Sequence, residues 1–158
     1  MPTLSNNYAT SAELTLTATS LADGAWRQSA AIDNGTNLYL DALLGGSLQV
    51  GTTPTDGGTI DVYLYADIDG ALYTAGASGS DAAYTADGEE LLLFDFATIV
   101  VDATSDVDYV FGPRSVREVF GVMPKKWGVV IENNTGATLH ATGTNNTLAF
   151  YGIKLDSA

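Results

Sequence analysis

"TIDVYLYADID" (residues 59–69) alternates with a period of two, and that period decides the fold class. Successive side chains of a strand point to opposite faces. Ile60, Val62, Leu64 and Ile68 therefore share one face, and Asp61, Tyr63, Tyr65 and Asp67 the other. The reading is a half-buried strand with its aliphatic face on a core. The same period appears in "AELTLTAT" (12–19), where Leu14 and Leu16 oppose Glu13, Thr15 and Thr17. "NLYLDALLGGSLQVGT" (37–52) reads as a strand interrupted at Gly45-Gly46 by a hairpin turn or a bulge. "LLLFDFATIVVD" (91–102) is apolar on both faces except at Asp95, the pattern of a central strand covered on each side.

"KWGVVIEN" (126–133), "ATLHATG" (137–143) and "NTLAFYGIKL" (146–155) complete the set, with turns expected at Asn133–Gly136 and Gly143–Asn146. Short strands about ten residues apart, punctuated by Gly, Asn and Asp, predict an all-β fold. The expected architecture is an antiparallel β-sandwich of jelly-roll type. No linker divides the chain, so one domain is expected over 1–158, with 1–11 as an extended N-terminal arm. The small, polar "TAGASGSDAAYTADGEE" (74–90) reads as a long loop.

One stretch departs from this pattern. In "VFGPRSVREVFGVMPKKWG" (110–128) the period becomes helical, and four of the six basic residues fall within thirteen positions. Gly112-Pro113 is expected to break a strand and open a short helix near 113–120. Val116, Val119 and Phe120 fall on one side of that helix, and Arg114, Arg117 and Glu118 on the other. Gly121 suits the position after the helix, and Pro124 prevents its continuation.

The net charge is −13, yet it is unevenly spread. From Gln28 to Pro113 there is no Lys or Arg, against twelve Asp plus Glu89 and Glu90. Arg114, Arg117, Lys125 and Lys126 then arrive together, accompanied only by Glu118. The strongly acidic balance excludes nucleic acid as an expected partner, because phosphate neutralisation needs a basic stripe. No apolar run is long enough to span a bilayer, so no membrane partner is expected. Met1–Ala18 lacks a basic start and an apolar run, so no signal peptide is expected and the chain reads as a cytoplasmic product. There is no cysteine, which excludes disulfides, thiolate metal sites and thiol nucleophiles.

Catalytic motifs are missing too. His140 is the only histidine, it lies in an alternating segment, and no G-x-S-x-G elbow accompanies it. Glu89, Glu90 and Asp95 show no spacing that suggests a pair of carboxylates across a cleft. The expectation is a protein that is not an enzyme and needs no cofactor. Asp67 and Asp69, and Asp102, Asp106 and Asp108, are weak calcium candidates, since neither group matches the twelve-residue loop with its final bidentate Glu. No metal site is expected. The Asn-x-Thr triplets at Asn34, Asn133 and Asn145 read as turns. Tyr63 and Tyr65, sharing a polar face, leave open either sugar binding or packing against a second sheet or a neighbouring subunit.

The stretch "VDATSDVDYVFGPRSVREVFGVMPKKWGVVIENNTGATL" (101–139) resembles small virion structural proteins of tailed bacteriophages, of the capsid decoration or cement type. The resemblance rests on Val101-Asp102-Ala103-Thr104, Phe111 with Pro113, Phe120-Gly121, Pro124-Lys125-Lys126-Trp127-Gly128, and Asn134-Thr135-Gly136. "NGTNLYLDALLGGSLQVGTTPT" (34–55) and "IDVYLYADID" (60–69) extend it upstream. It implies a β-sandwich that assembles as a small homo-oligomer such as a trimer. Its partner would be the major capsid protein, and its location the virion, after synthesis in the host cytoplasm. Arg114, Arg117, Lys125, Lys126 and Trp127 would then form the docking end. Trp127 has two readings at this stage, an interface anchor or a core tryptophan beside Val129 and Ile131. The alternative function is a carbohydrate- or receptor-binding module of a tail or fibre.

Overall fold

The computed structural model describes residues 4–157. Its strands are β1 (Leu4–Tyr8), β2 (Ala12–Glu13), β3 (Ala25–Gln28), β4 (Ile32–Asp33), β5 (Asp41–Gln49), β6 (Thr59–Ala66), β7 (Ala82–Tyr84), β8 (Phe94–Val100), β9 (Asp108–Ser115), β10 (Lys126–Asn134) and β11 (Thr147–Ser157). Two short helices, α1 (Asn34–Asn37) and α2 (Val116–Phe120), interrupt them. The strands form two antiparallel sheets in a sandwich-like arrangement. One is ordered β1-β11-β5-β9, with β2 also on β11; the other is ordered β7-β3-β10-β6-β8, with β4 on β10. These pairings establish the antiparallel sandwich; a jelly-roll connectivity is not among the things they define.

The core lies between the sheets, where Leu44, Leu48, Ile60, Val62, Leu64, Phe96, Val129 and Ile131 are buried in one cluster. Period-two alternation in β6 supplies three of these, as the sequence predicts. The same alternation in β10 delivers Trp127, Val129 and Ile131 to that core, while Gly128 and Val130 face the other way. Of the two options at Gly45-Gly46, the structure takes the bulge: the β5–β9 register shifts between Leu44 and Gly46. A Cβ at Gly46 would collide with Leu148 and the Thr147 carbonyl, so the bulge also requires a residue without a side chain.

Several expectations are corrected. Ile68 was placed inward but is 68% exposed, because β6 ends at Ala66 and the chain turns through Asp67–Gly70. The run 91–102 is not a central strand: β8 is a sheet edge, and within it only Phe96 and Ile99 are buried. A register shift beside Val62 and Tyr63 breaks its alternation, and Leu91 and Leu92 belong to the preceding 3-10 turn. At 12–19 only Ala12–Glu13 joins a ladder, although Leu14 and Ala18 still reach the core. Leu139 makes a single bridge to Val50 instead of opening a strand. Gly112-Pro113 does not break β9, which runs through both residues. Of the expected arm, Met1–Thr3 lie outside the described residues, and Leu4–Tyr8 is extended but held on β11.

The expected loop at 74–90 is instead a folded cover on the outer face of the second sheet. Tyr65 and Val130 of the sheet are buried beneath it together with its own Ala77 and Tyr84, and Trp26, Tyr63, Tyr73 and Leu93 pack around them. Tyr84 Oη donates to the Ala75 carbonyl at 2.6 Å, and Tyr65 Oη to the Ser29 carbonyl at 2.7 Å. The Tyr65 ring lies over Gly128 and leaves no room there for a Cβ. Tyr65, placed by alternation on the polar face, does occupy that face but is wholly buried. Tyr65 is therefore a packed side chain, and what covers it is this segment of its own chain, which the expectation of a second sheet or a neighbouring subunit does not include.

This cover predicts a base-sensitive fold. Burial, then Asp61, Glu132 and Asp95, push the Tyr63 phenol up to about 12. Burial pushes Tyr65 higher still. Unfolded phenols ionise near 10, so above about pH 10 the native state binds more protons than the unfolded state and stability falls as pH rises. Below that pH the contribution is complete. Urea midpoints measured from about pH 8 to pH 11.5 are expected to fall across the upper part of the range. The fall should be shallower in Tyr63→Phe/Tyr65→Phe, once that variant's own loss of stability is subtracted.

Candidate docking surface

One end of the sandwich gathers the end of β6, the start of β8, the start of β10 and α2. Ser115 caps α2 by accepting from the Glu118 N–H at 2.9 Å. Asp41 of β5 accepts from Ser115 Oγ at 2.8 Å and from the Arg117 N–H at 3.0 Å. At the other end, Gly121 adopts φ 79° and donates to the Arg117 carbonyl at 2.7 Å. A one-turn helix is too short to be stable alone, so these bonds and its packing must hold it. Val116 is fully buried, and Phe120 meets Phe94 edge-on with ring centres 4.9 Å apart.

The five predicted docking residues divide. Arg117 and Lys125 are exposed. Lys126 is half-buried, with Nζ donating to the Gly70 carbonyl at 3.2 Å and its backbone N–H to Asp67 at 2.7 Å. Arg114 bends back over the Phe96 ring, 5.4 Å from its centre, and donates to the Phe96 carbonyl. One of its guanidinium nitrogens is thus engaged within the chain, although the residue as a whole is exposed. Trp127 is fully buried against Phe150, with ring centres 5.4 Å apart. It is the core tryptophan, and in the folded chain it has no surface to offer as an interface anchor. Among the described residues the one Lys or Arg with a carboxylate partner is Arg27, on Asp81, so none of these four bases has one.

What the sequence reading missed is apolar. Ile68, Leu72, Leu91, Leu92 and Val122 are large side chains standing in solvent at this same end. Ile68, Leu72, Tyr73, Ala75 and Leu92, with Glu89 at the rim, line an open cleft of about 520 Å³. Scattered exposed aliphatics need no explanation, but several around one cleft mark a contact surface. The signal was present in "EELLL", where two leucines follow two acids outside any alternating segment. It was masked by reading the whole apolar run as one strand.

The calcium candidates are not brought together. Asp69 accepts from the N–H groups of Leu72 and Ala71, which hold its carboxyl below the usual range. Asp102 is held low in the same way, first by the Thr104 N–H. Asp67 accepts from Lys126, as noted, and Asp108 lies in β9. Among the described residues no three His, Cys, Asp or Glu side chains converge as a metal site. His140 Nδ1 accepts from the Thr142 N–H at 3.1 Å, and Nε2 lies 3.9 Å from Asp106. Asn145 and Asn146 bond to this segment and fasten it to Gln49. No helix among the described residues is long and apolar enough to cross a membrane. Searches of family models, curated proteins and solved structures return no match to the chain.

Proposed function

We propose that the chain is a non-enzymatic structural protein of a tailed-phage virion. In this reading it is a capsid decoration or cement protein that attaches to the major capsid protein through the α2 end of the sandwich. The observation that carries the reading is that the end with the apolar cleft of Ile68, Leu72 and Leu92 also holds α2 and the start of β10, where Val122, Arg117 and Lys125 are exposed, on a strongly acidic molecule. Apolar contact supplies affinity, and the bases select an acidic surface and orient the approach. The resemblance over 101–139 supports the same reading, since α2 and the start of β10 lie within it. Many identical weak attachments, repeated over a shell, stabilise it without any one being strong.

The rival reading, a glycan-binding module, needs open aromatic rings on the face that bears Tyr63 and Tyr65. Tyr65 is buried, and Tyr63 stacks on Trp26 at 5.5 Å with planes 20° apart. Tyr84 packs on Trp26 as well, at 5.8 Å, so the rings are largely turned toward one another. The discriminating experiment is co-sedimentation of the purified chain with capsids stripped of it. Saturable binding at a fixed ratio to the capsid subunit supports decoration. No binding, or binding that free oligosaccharide competes away, overturns it.

A further inference from the structure

Among the described residues the outer strands of the two sheet orders are β1 and β9 in one and β7 and β8 in the other, with the two-residue β2 and β4 also unpaired on one side. An open edge invites pairing with another chain, and proteins usually block it with charge, proline, bulges or brevity. β9 has Asp108, Pro113 and Arg114 and lies against the bulge at Gly45. β8 carries Asp95 beside a register shift. β7 is only three residues long. β1 has none of these devices. Its sequence Leu4-Ser5-Asn6-Asn7-Tyr8 holds no charge and no proline, and all five residues are exposed. Its register with β11 runs unbroken from Leu4 opposite Ser157 to Tyr8 opposite Ile153.

The edge is also underfilled. β5 pairs with β11 only as far as Ile153, so beyond that point β1 and β11 continue as a two-stranded ribbon. Such a ribbon is marginal in water unless further strands join it. The Ala9 N–H donates to the Gly152 carbonyl at 2.8 Å. By antiparallel alternation, Asn7 and Ser5 then direct their backbone groups to β11, while Leu4, Asn6 and Tyr8 direct theirs outward.

Read antiparallel against itself about Asn6, this strand is self-complementary. Leu4 falls opposite Tyr8 of the second copy, Ser5 opposite Asn7, and Asn6 opposite Asn6. The two apolar residues, 66% and 59% exposed, therefore meet each other. Leu155, opposite Asn6 on β11 and 49% exposed, extends the same apolar face. We propose that β1 pairs with β1 of a second copy about a two-fold axis at Asn6, turning two ribbons into one four-stranded sheet between subunits. The contact is isologous, so each outward N–H and carbonyl of β1 finds its partner on the same strand of the other copy. It lies on the sheet edge opposite β9, from which α2 continues, and does not depend on the virion reading. It is also a different arrangement from the trimer that the resemblance implies.

Sedimentation equilibrium of the full chain tests it. The wild-type chain is expected to be a dimer. Leu4→Lys/Tyr8→Lys sets lysine against lysine in this register and should give a monomer. Leu4→Lys/Tyr8→Glu sets lysine against glutamate and should restore the dimer. Asn6→Pro, which removes an outward N–H without taking a bond from β11, should also give a monomer. Thermal melting checks that each variant is folded. A monomeric or trimeric wild-type chain overturns the proposal. So does a dimer that survives the two lysines, or one that the lysine–glutamate variant fails to restore.

Discussion

Trp127→Ala is expected to destabilise the fold by about 3–5 kcal/mol, the usual cost of emptying a large aromatic site in a packed core. Trp127 is wholly buried on β10, paired on one side with Ala66 of β6 and on the other with Ile32 of β4. Its ring meets Phe150 of the opposite sheet, so truncation opens a cavity that reaches both layers. Trp127→Phe should cost much less. It keeps most of the ring and removes Nε1, which is buried without a hydrogen-bond partner. Urea unfolding of the two variants gives the comparison. Under conditions where Trp127→Ala remains folded, its binding to capsids should match the wild type. Normal stability with lost binding would return Trp127 to the interface.

The second large effect concerns the apolar end. Leu92→Asp with Val122→Asp is expected to weaken co-sedimentation with stripped capsids by at least about thirty-fold, corresponding to roughly 2 kcal/mol. Both side chains are exposed in the chain itself, so folding stability should change little. Arg117→Glu with Lys125→Glu should reduce binding most strongly at low salt, because unscreened rim charges act mainly on encounter and orientation. Arg114→Glu should behave differently. Arg114 is tied to Phe96 on its own chain, so its reversal should lower stability as well as binding. Unchanged capsid binding in the Leu92/Val122 variant would remove this end as the attachment surface.

Much of this arrangement was legible in the sequence because period-two alternation assigns faces without knowledge of neighbours. Ile60, Val62 and Leu64 could be placed on the core from that period alone. So could the amphipathic turn of α2, where Val116 is buried and Arg117 exposed. Alternation assigns a face but not what covers it, which is why Tyr65 was legible as outward and not as buried. The cover at 74–90 is rich in Ala, Gly and Ser, whose small side chains pack closely on a sheet yet carry no pattern. Trp127 follows the same rule, since only the opposite sheet's Phe150 tells a core tryptophan from an anchor. The apolar cleft was hidden because Ile68 and Leu92 continue alternating or apolar runs past the ends of their strands. The basic cluster was visible as a charge anomaly, but not the capture of Arg114 by Phe96, which depends on β8 lying beside β9.

The central claim is that this chain is a repeated component of a shell, and repetition is measured by copy number. Gradient-purified phage particles from the source of this chain, analysed by quantitative mass spectrometry against the major capsid subunit, give that number directly. An abundance comparable to the capsid subunit is the predicted result. A handful of copies per particle would place the chain on a tail and favour the glycan-binding reading, and its absence from the particles would contradict the account.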